Sequence, residues 1–233
     1  MNEMIRGLIM IKGIFFDLFF TLVYPSYEED ANEYTVLNIP VSEWENYAEN
    51  SVLYRERALG YVHSEIEIIN KITSIIPFPV SEKQKRDLLK FRIKRMHDAL
   101  ENVPDEIYDT LEKLKNRNIK IGLISNADII DCKYWEASKL SSYFDDAVLS
   151  CYVNLLKPDI KIYELAMKRL DLVPEECIFA GDGGSEELFG AKMAHMKTVY
   201  AEHLISKSNT AQKEIMNFSD FHITQFSELL DFI

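Results

Sequence analysis

Cysteine is scarce in this chain of 233 residues: there are three, Cys132, Cys151 and Cys177. Their spacing fits neither a disulfide framework nor a metal-binding pattern, which points to a reducing compartment, the cytoplasm. Each reads as a small buried hydrophobe. Long apolar runs are missing too. No segment offers the ~18 uninterrupted apolar residues that a membrane span needs. The five histidines, at 63, 97, 195, 203 and 222, show no ligand spacing, which argues against zinc. There is no Gly-x-Ser-x-Gly elbow, and no Lys-Ser/Thr follows the glycines at 181, 183 and 184, so neither a serine hydrolase nor a P-loop is supported. Positive charge is short as well. With 26 Lys and Arg against 38 Asp and Glu, the formal charge of −12 argues against a nucleic-acid partner. A small anionic substrate would meet only the local field of its pocket.

What is present is ample core material: 47% hydrophobic residues and 12% aromatic ones make disorder improbable. The opening MNEMIRGLIMIKGIFF carries Arg6 and Lys12 but no small-residue cleavage site. Its apolar run leads straight to Asp17, so a buried strand explains it better than a signal sequence. MIKGIFFDL already begins with a complete strand, so Met10 is a candidate natural start; a native mass that begins before Met10 would remove that expectation.

From about residue 104 strands and helices alternate. PDEIYDTLEKLKNRN has Ile107, Leu111 and Leu114 on one helical stripe, and IKIGLI (119–124) follows as a buried strand ending at Ser125-Asn126. A helix is expected through KYWEASKL, then strand DAVLS (146–150). A helix with Ile162, Leu165, Ala166 and Leu170 on one face comes next, then strand CIFAG (177–181), a helix from Leu188 to His195, and strand KTVY (197–200). This alternation predicts crossover units and a parallel sheet. The interval 24–98 reads differently. VHSEIEIINKITSII places Val62, Ile66, Ile69 and Ile76 on one helical face, and SEKQKRDLLKFRIKRMHDAL is a second amphipathic helix. Residues 13–54 contain no Lys or Arg whereas 83–95 hold seven, a run read as a solvated helix face.

In an open parallel sheet, ligands bind beyond the carboxyl ends of the strands. Asp17 follows one predicted strand, Ser125 another and Asp182 a third, while Lys157 lies in the loop LLKPD. An Asp after a strand is usually a turn residue. Four such residues on one edge are harder to explain that way. The chain here resembles the haloacid dehalogenase-like hydrolase superfamily. The resemblance rests on Asp17-x-x-x-Thr21, on Ser125 in LISNAD, on Lys157 in LLKPDIKIYELA and on Asp182 in GDGGSEELFGA. It implies an α/β fold, a doubly wound, parallel-sheet Rossmann-like core (1–23 and 99–233) with an inserted α-helical cap (24–98). It also implies that Asp17 is the nucleophile. Thr21, Ser125 and Lys157 would hold an anionic group, with Asn126 and Arg55 as further substrate contacts. Mg²⁺ would be held by Asp17, Asp182 and the Phe19 carbonyl, and Glu187 would orient a metal-bound water or Lys157.

Phe19 departs from the family pattern, because phosphatases of the family carry a second Asp there, an acid for the leaving oxygen. General acid catalysis is worth about 10²–10⁴-fold. Two chemistries tolerate its loss: a Mg²⁺-dependent phosphatase acting on a small phosphorylated metabolite with a good leaving group, or a 2-haloacid dehalogenase-like displacement in which halide leaves unprotonated. The second is supported by YRERALGY, which resembles the dehalogenases' cap arginine context at Arg55, and by Tyr163, six residues after Lys157. Phosphonate hydrolases of the family also lack the second acid but need a cap lysine, and Lys71, Lys83, Lys85, Lys90 and Lys94 are all candidates. A scaffold that only binds a ligand is the reading from another class, and retention of Asp17, Thr21, Ser125, Lys157 and Asp182 counts against it.

Overall fold

The computed structural model describes residues 10–233; the start of the first expected core segment, 1–9, lies outside them. Six parallel strands make one sheet: β1 (Gly13–Phe16), β2 (Lys120–Ser125), β3 (Asp146–Leu149), β4 (Cys177–Gly181), β5 (Lys197–Ala201) and β6 (Phe221–Ile223), in the order β3-β2-β1-β4-β5-β6. Every residue of β1 is buried, as expected of a strand covered on both faces. Its alternating side chains feed two cores. Ile14 and Phe16 join Leu111 and Leu114, whereas Phe15 joins Ile162, Tyr163, Ala166 and Leu188. The fold is therefore a doubly wound α/β sandwich, with α6 (Asp105–Asn116) on one face and α8 (Ile160–Arg169) and α9 (Glu187–Met193) on the other.

Between β1 and α6 the chain forms only helices: α1 (Glu33–Leu37), α2 (Val41–Ala48), α3 (Ser51–Ala58), α4 (Glu65–Ser74) and α5 (Glu82–Glu101). They surround a core of their own that includes Leu37, Trp44, Ile68, Ile69, Ile72 and Leu88. Ser64 and Ser81 fix two of the starts. The Ser64 hydroxyl accepts from the Glu67 amide, and Ser81 exchanges bonds with Gln84 in a capping box. Ile66 is exposed, so the buried face of α4 is Ile68-Ile69-Ile72 instead of one through Ile66. Helix α5 runs past residue 98 to Glu101 before Pro104 intervenes. No helix among the described residues is long and apolar enough to cross a membrane.

The helix expected through KYWEASKL does not form. Residues 129–138 make consecutive turns whose amides reach back three residues, as Trp135 does to Cys132 and Ser138 to Trp135. Asp128 accepts from the Ile130 and Asp131 amides and Asp131 from the Asp128 amide, the pattern that starts a helix, but from Lys133 on the amides close only three-residue turns. A four-residue helix, α7 (Ser150–Val153), follows β3, and α10 (Asn209–Met216) links β5 to β6.

The helical segment meets the sheet side of the molecule closely at Gly60. Its φ is +76°, and a Cβ there would lie 2.0 Å from the Cys151 carbonyl oxygen. Gly60→Ala is therefore expected to destabilise the fold by roughly 2 kcal/mol or more. Urea unfolding measures this, and an unchanged midpoint would show that the α7 backbone yields instead.

Candidate active site

The register of the sheet brings the chemically interesting side chains together. Phe16 pairs with Leu123 on one side and Ala180 on the other, so Asp17, Ser125 and Asp182 emerge at the same edge. The Asp17 amide still donates to the Ala180 carbonyl, 3.0 Å away. Beyond it the chain folds back tightly: Leu22 and Val23 amides return to the Leu18 carbonyl, and Phe20 takes φ +62°. That turn returns Thr21 to the strand end. Its hydroxyl lies 3.4 Å from Asp17 Oδ2 and accepts from the Asp182 amide at 3.0 Å.

Lys157 sits at the centre. Its Nζ donates to Asp17 Oδ1 and Glu187 Oε2, each at 2.5 Å, and it is 5% exposed. Asn126 fixes the lysine backbone from β2, accepting from its amide at 2.8 Å and donating to its carbonyl at 3.2 Å. Glu187 begins α9 and is anchored twice more. Its Oε1 accepts from the Gly183 amide at 3.0 Å, and its carbonyl accepts from the Tyr163 hydroxyl at 2.8 Å. A Cβ on Gly181 would lie 2.1 Å from that same Oε1, so the glycine is what lets Glu187 approach. The expected roles on an anion or a metal would add to these direct contacts.

Burial raises the Asp17 carboxyl above its ordinary range, with Lys157 pulling it down and Asp182 pushing it up. Burial and then the Asp17 charge drive Glu187 well above its ordinary 4.5. For Lys157 burial works towards the neutral form, but Asp17 and Glu187 outweigh it and hold the ammonium. Asp17, Asp182 and Glu187 each offer an oxygen within 4.8 Å of the others. Three carboxyl groups meet two ammoniums, Lys157 and Lys207, more acids than cations to pair with them. A hard divalent cation suits such a set of oxygens. The Ser125 hydroxyl is buried and has no partner among the described residues, as a group awaiting a ligand atom would be.

Two features were not anticipated. Lys207, between β5 and α10, pairs with Asp182 Oδ2 at 2.6 Å, and nothing in HLISKSN marks it. Asp182's other oxygen accepts from the Gly184 amide. Arg55 is exposed on α3 and makes no ion pair among the described residues, whereas Arg57, two residues on and on the opposite side of the helix, is buried against Asp128. The sequence YRERALGY gives no sign which arginine turns inward. Phe19 is half-buried, and its ring packs against the main core.

The family model for haloacid dehalogenase-like hydrolases matches residues 11–195. A glyceraldehyde 3-phosphate phosphatase of Pyrococcus furiosus is 31% identical over 125 residues, covering 52% of this chain and 50% of its own length. Another, of Methanopyrus kandleri, is 28% identical over 243 aligned positions that cover 96% of this chain and 97% of its own. Among solved structures, a HAD family enzyme of Bacteroides thetaiotaomicron in complex with magnesium and inorganic phosphate superposes with a TM-score of 0.64 at 19% identity, covering 86% of this chain and 98% of its own. A 2-haloacid dehalogenase of Pseudomonas syringae gives 0.63 at 18%, covering 95% and 97%. At such identities the fold is shared by both chemistries, and the shape alone does not choose between them.

The raised Glu187 carboxyl has a consequence for stability. Folded, it keeps its proton to higher pH than in the unfolded chain, so its contribution is present at low pH and lost as pH rises from 4.5 through the folded value. With metal chelated, the thermal midpoint of the wild type is expected to fall more between about pH 5 and about pH 8 than that of Glu187→Gln, and Mg²⁺ should restore it. Parallel pH profiles for the two proteins would contradict this.

Proposed function

Because the chain belongs to the haloacid dehalogenase-like hydrolases, we propose that it is a Mg²⁺-dependent phosphatase acting on a small phosphorylated metabolite whose leaving group needs little protonation. The observation that carries the reading is the trio Asp17, Asp182 and Glu187, three carboxyl groups with oxygens within 4.8 Å of one another and two lysines among them. A halide displacement at carbon has no use for a third carboxylate there. The phosphatase names of relatives that align along nearly the whole chain support the same choice.

In this reading Asp17 attacks phosphorus in line. The bond from phosphorus to the substrate oxygen breaks as the Asp17 oxygen–phosphorus bond forms, leaving an acyl phosphate on Asp17. Lys157, Thr21 and the unpartnered Ser125 hydroxyl hold the phosphoryl oxygens, and Lys157 offsets their charge as they approach the carboxylate. Mg²⁺, held by Asp17, Asp182 and the Phe19 carbonyl, would neutralise the phosphoryl group. Water then cleaves the acyl phosphate, releasing inorganic phosphate and restoring Asp17. Glu187 keeps Lys157 charged and in place. Phe19 has no proton to give, so the leaving oxygen departs as an anion or takes its proton from water. We assign residues 24–98 to a cap that covers the site and selects the substrate, and the chain up to residue 23 together with 99–233 to the catalytic core.

The discriminating assay is hydrolysis of an aryl phosphate and of 2-chloropropionate, each with Mg²⁺ and with a chelator. Phosphate release that needs Mg²⁺ is expected; chloride release indifferent to chelation would establish the dehalogenase reading. Asp17→Asn should abolish turnover, and retained activity would remove Asp17 as nucleophile. Phe19→Asp should speed alkyl-phosphate hydrolysis towards the ~10²-fold that general acid catalysis supplies at the least. A folded Phe19→Asp protein without gain would mean that Phe19 does more than omit an acid.

A further inference from the structure

The turn region that leaves β2 belongs to two parts of the molecule at once. Its first residues, Ser125 and Asn126, sit in the active site, and Asn126 grips both backbone polar groups of Lys157. Four residues later, Ile130 is fully buried in the core of the helical segment, beside Trp44, Ile68, Ile72 and Leu88. Between them Asp128 is wholly buried and is met by two arginines from that segment, both 2% exposed. Arg92 of α5 donates to Asp128 Oδ2 and to Asp131 Oδ1, each at 2.8 Å. Arg57 Nε of α3 lies 2.9 Å from the same Asp128 oxygen, an ionic contact without the alignment of a hydrogen bond, while its terminal nitrogens reach the Ala48 carbonyl and Glu49.

The Asp128 side chain also shapes its own loop. Oδ1 accepts from the amides of Ile130 and Asp131, and the Asp131 carboxylate accepts in return from the Asp128 amide. Ala127, between Asn126 and Asp128, donates to Ser150 Oγ, which itself contacts the Ala58 carbonyl at the end of α3. No charge in this cluster reaches the Asp17–Lys157 pair directly. A buried charge stripped of its partners is costly, so the loop and the two arginines move together or not at all.

We infer that Asp128 is a positioning residue: it locks residues 126–131 to the helical segment, so that the seating of that segment sets, through Asn126, where Lys157 stands against Asp17. The inference rests on the phosphatase reading for its kinetic consequence but not for its structural one. It assigns a task to two arginines that composition alone counts as surface charge.

The test uses Asp128→Asn, which keeps the shape and removes the charge, and Arg92→Lys, which keeps the charge but spans both acids poorly. Three readouts are taken on the full chain: amide hydrogen exchange, Mg²⁺ affinity, and kcat and KM on an aryl phosphate. Expected is faster exchange at the Lys157 amide with 177–181 unchanged, Mg²⁺ affinity within about twofold of the wild type, and kcat lower by up to the ~10²-fold that about 1 Å of misplacement costs. Either variant, folded, with wild-type exchange at Lys157 and wild-type kcat but a lower thermal midpoint would reduce Asp128 to a structural ion pair and overturn the inference. If Asp128→Asn does not fold, Arg92→Lys decides by the same readouts. A wild type that releases no phosphate removes the phosphatase reading alone, since the exchange at Lys157 still decides the positioning.

Discussion

The ammonium of Lys157, buried between Asp17 and Glu187, is the interaction on which the site depends. Taking three charges out of water is expensive, and only close, well-directed pairing recovers the cost. The surrounding architecture supplies it. Asn126 fixes the lysine backbone, while Tyr163 and the Gly183 amide fix Glu187. The strand partners of β1 leave Asp17 nowhere else to go. The restraints come from the ends of β1, β2 and β4 and from α8 packed on the sheet, which is why a parallel sheet suits the task.

Electrostatically the site is a carboxylate excess held in check by two lysines of unlike standing. Lys157 is enclosed by two acids, whereas Lys207 is 22% exposed and attached to Asp182 alone. A divalent ion bound through Asp182 Oδ2 would compete there with the Lys207 ammonium, 2.6 Å away. Lys157 occupies Asp17 Oδ1 and Glu187 Oε2, so a cation among the three acids would meet it too. In the proposed reaction the unpartnered Ser125 hydroxyl would meet a phosphoryl oxygen, and Phe19 would offer the departing oxygen no proton.

What could be read in the sequence was what depends on strand order and strand ends. Asp17, Ser125 and Asp182 each follow an apolar run, and parallel pairing gathers such ends on one edge. Lys157 joins them because its loop enters at the same edge. Side-chain selection among near neighbours was not legible. Arg55 and Arg57 stand two apart on one short helix, and only the position of Asp128 decides which is buried. Lys207 reaches Asp182 from a stretch without regular structure, where spacing carries no information. Residues 133–140 have helical composition, yet their amides close successive three-residue turns, which side-chain spacing does not tell from a helix. Strand β6 is three residues long, too short for periodicity to speak.

The order of the sheet also fixes when the site can exist. Strand β1 leaves the ribosome first, but its two neighbours are β2, some hundred residues later, and β4, later still: Gly13 pairs with Lys120 and with Cys177. Until β4 and Glu187 have been made, an entirely apolar strand and the carboxylate at its end have no partners on one side. The five helices that intervene can gather their own core meanwhile, since their contacts are mostly local. Closing loops of that length before any pairing rewards them is slow. In a nascent chain the intervening helices are thus the early structure, and the cluster of Asp17, Lys157, Asp182 and Glu187 is assembled only once β4 and α9 have been made.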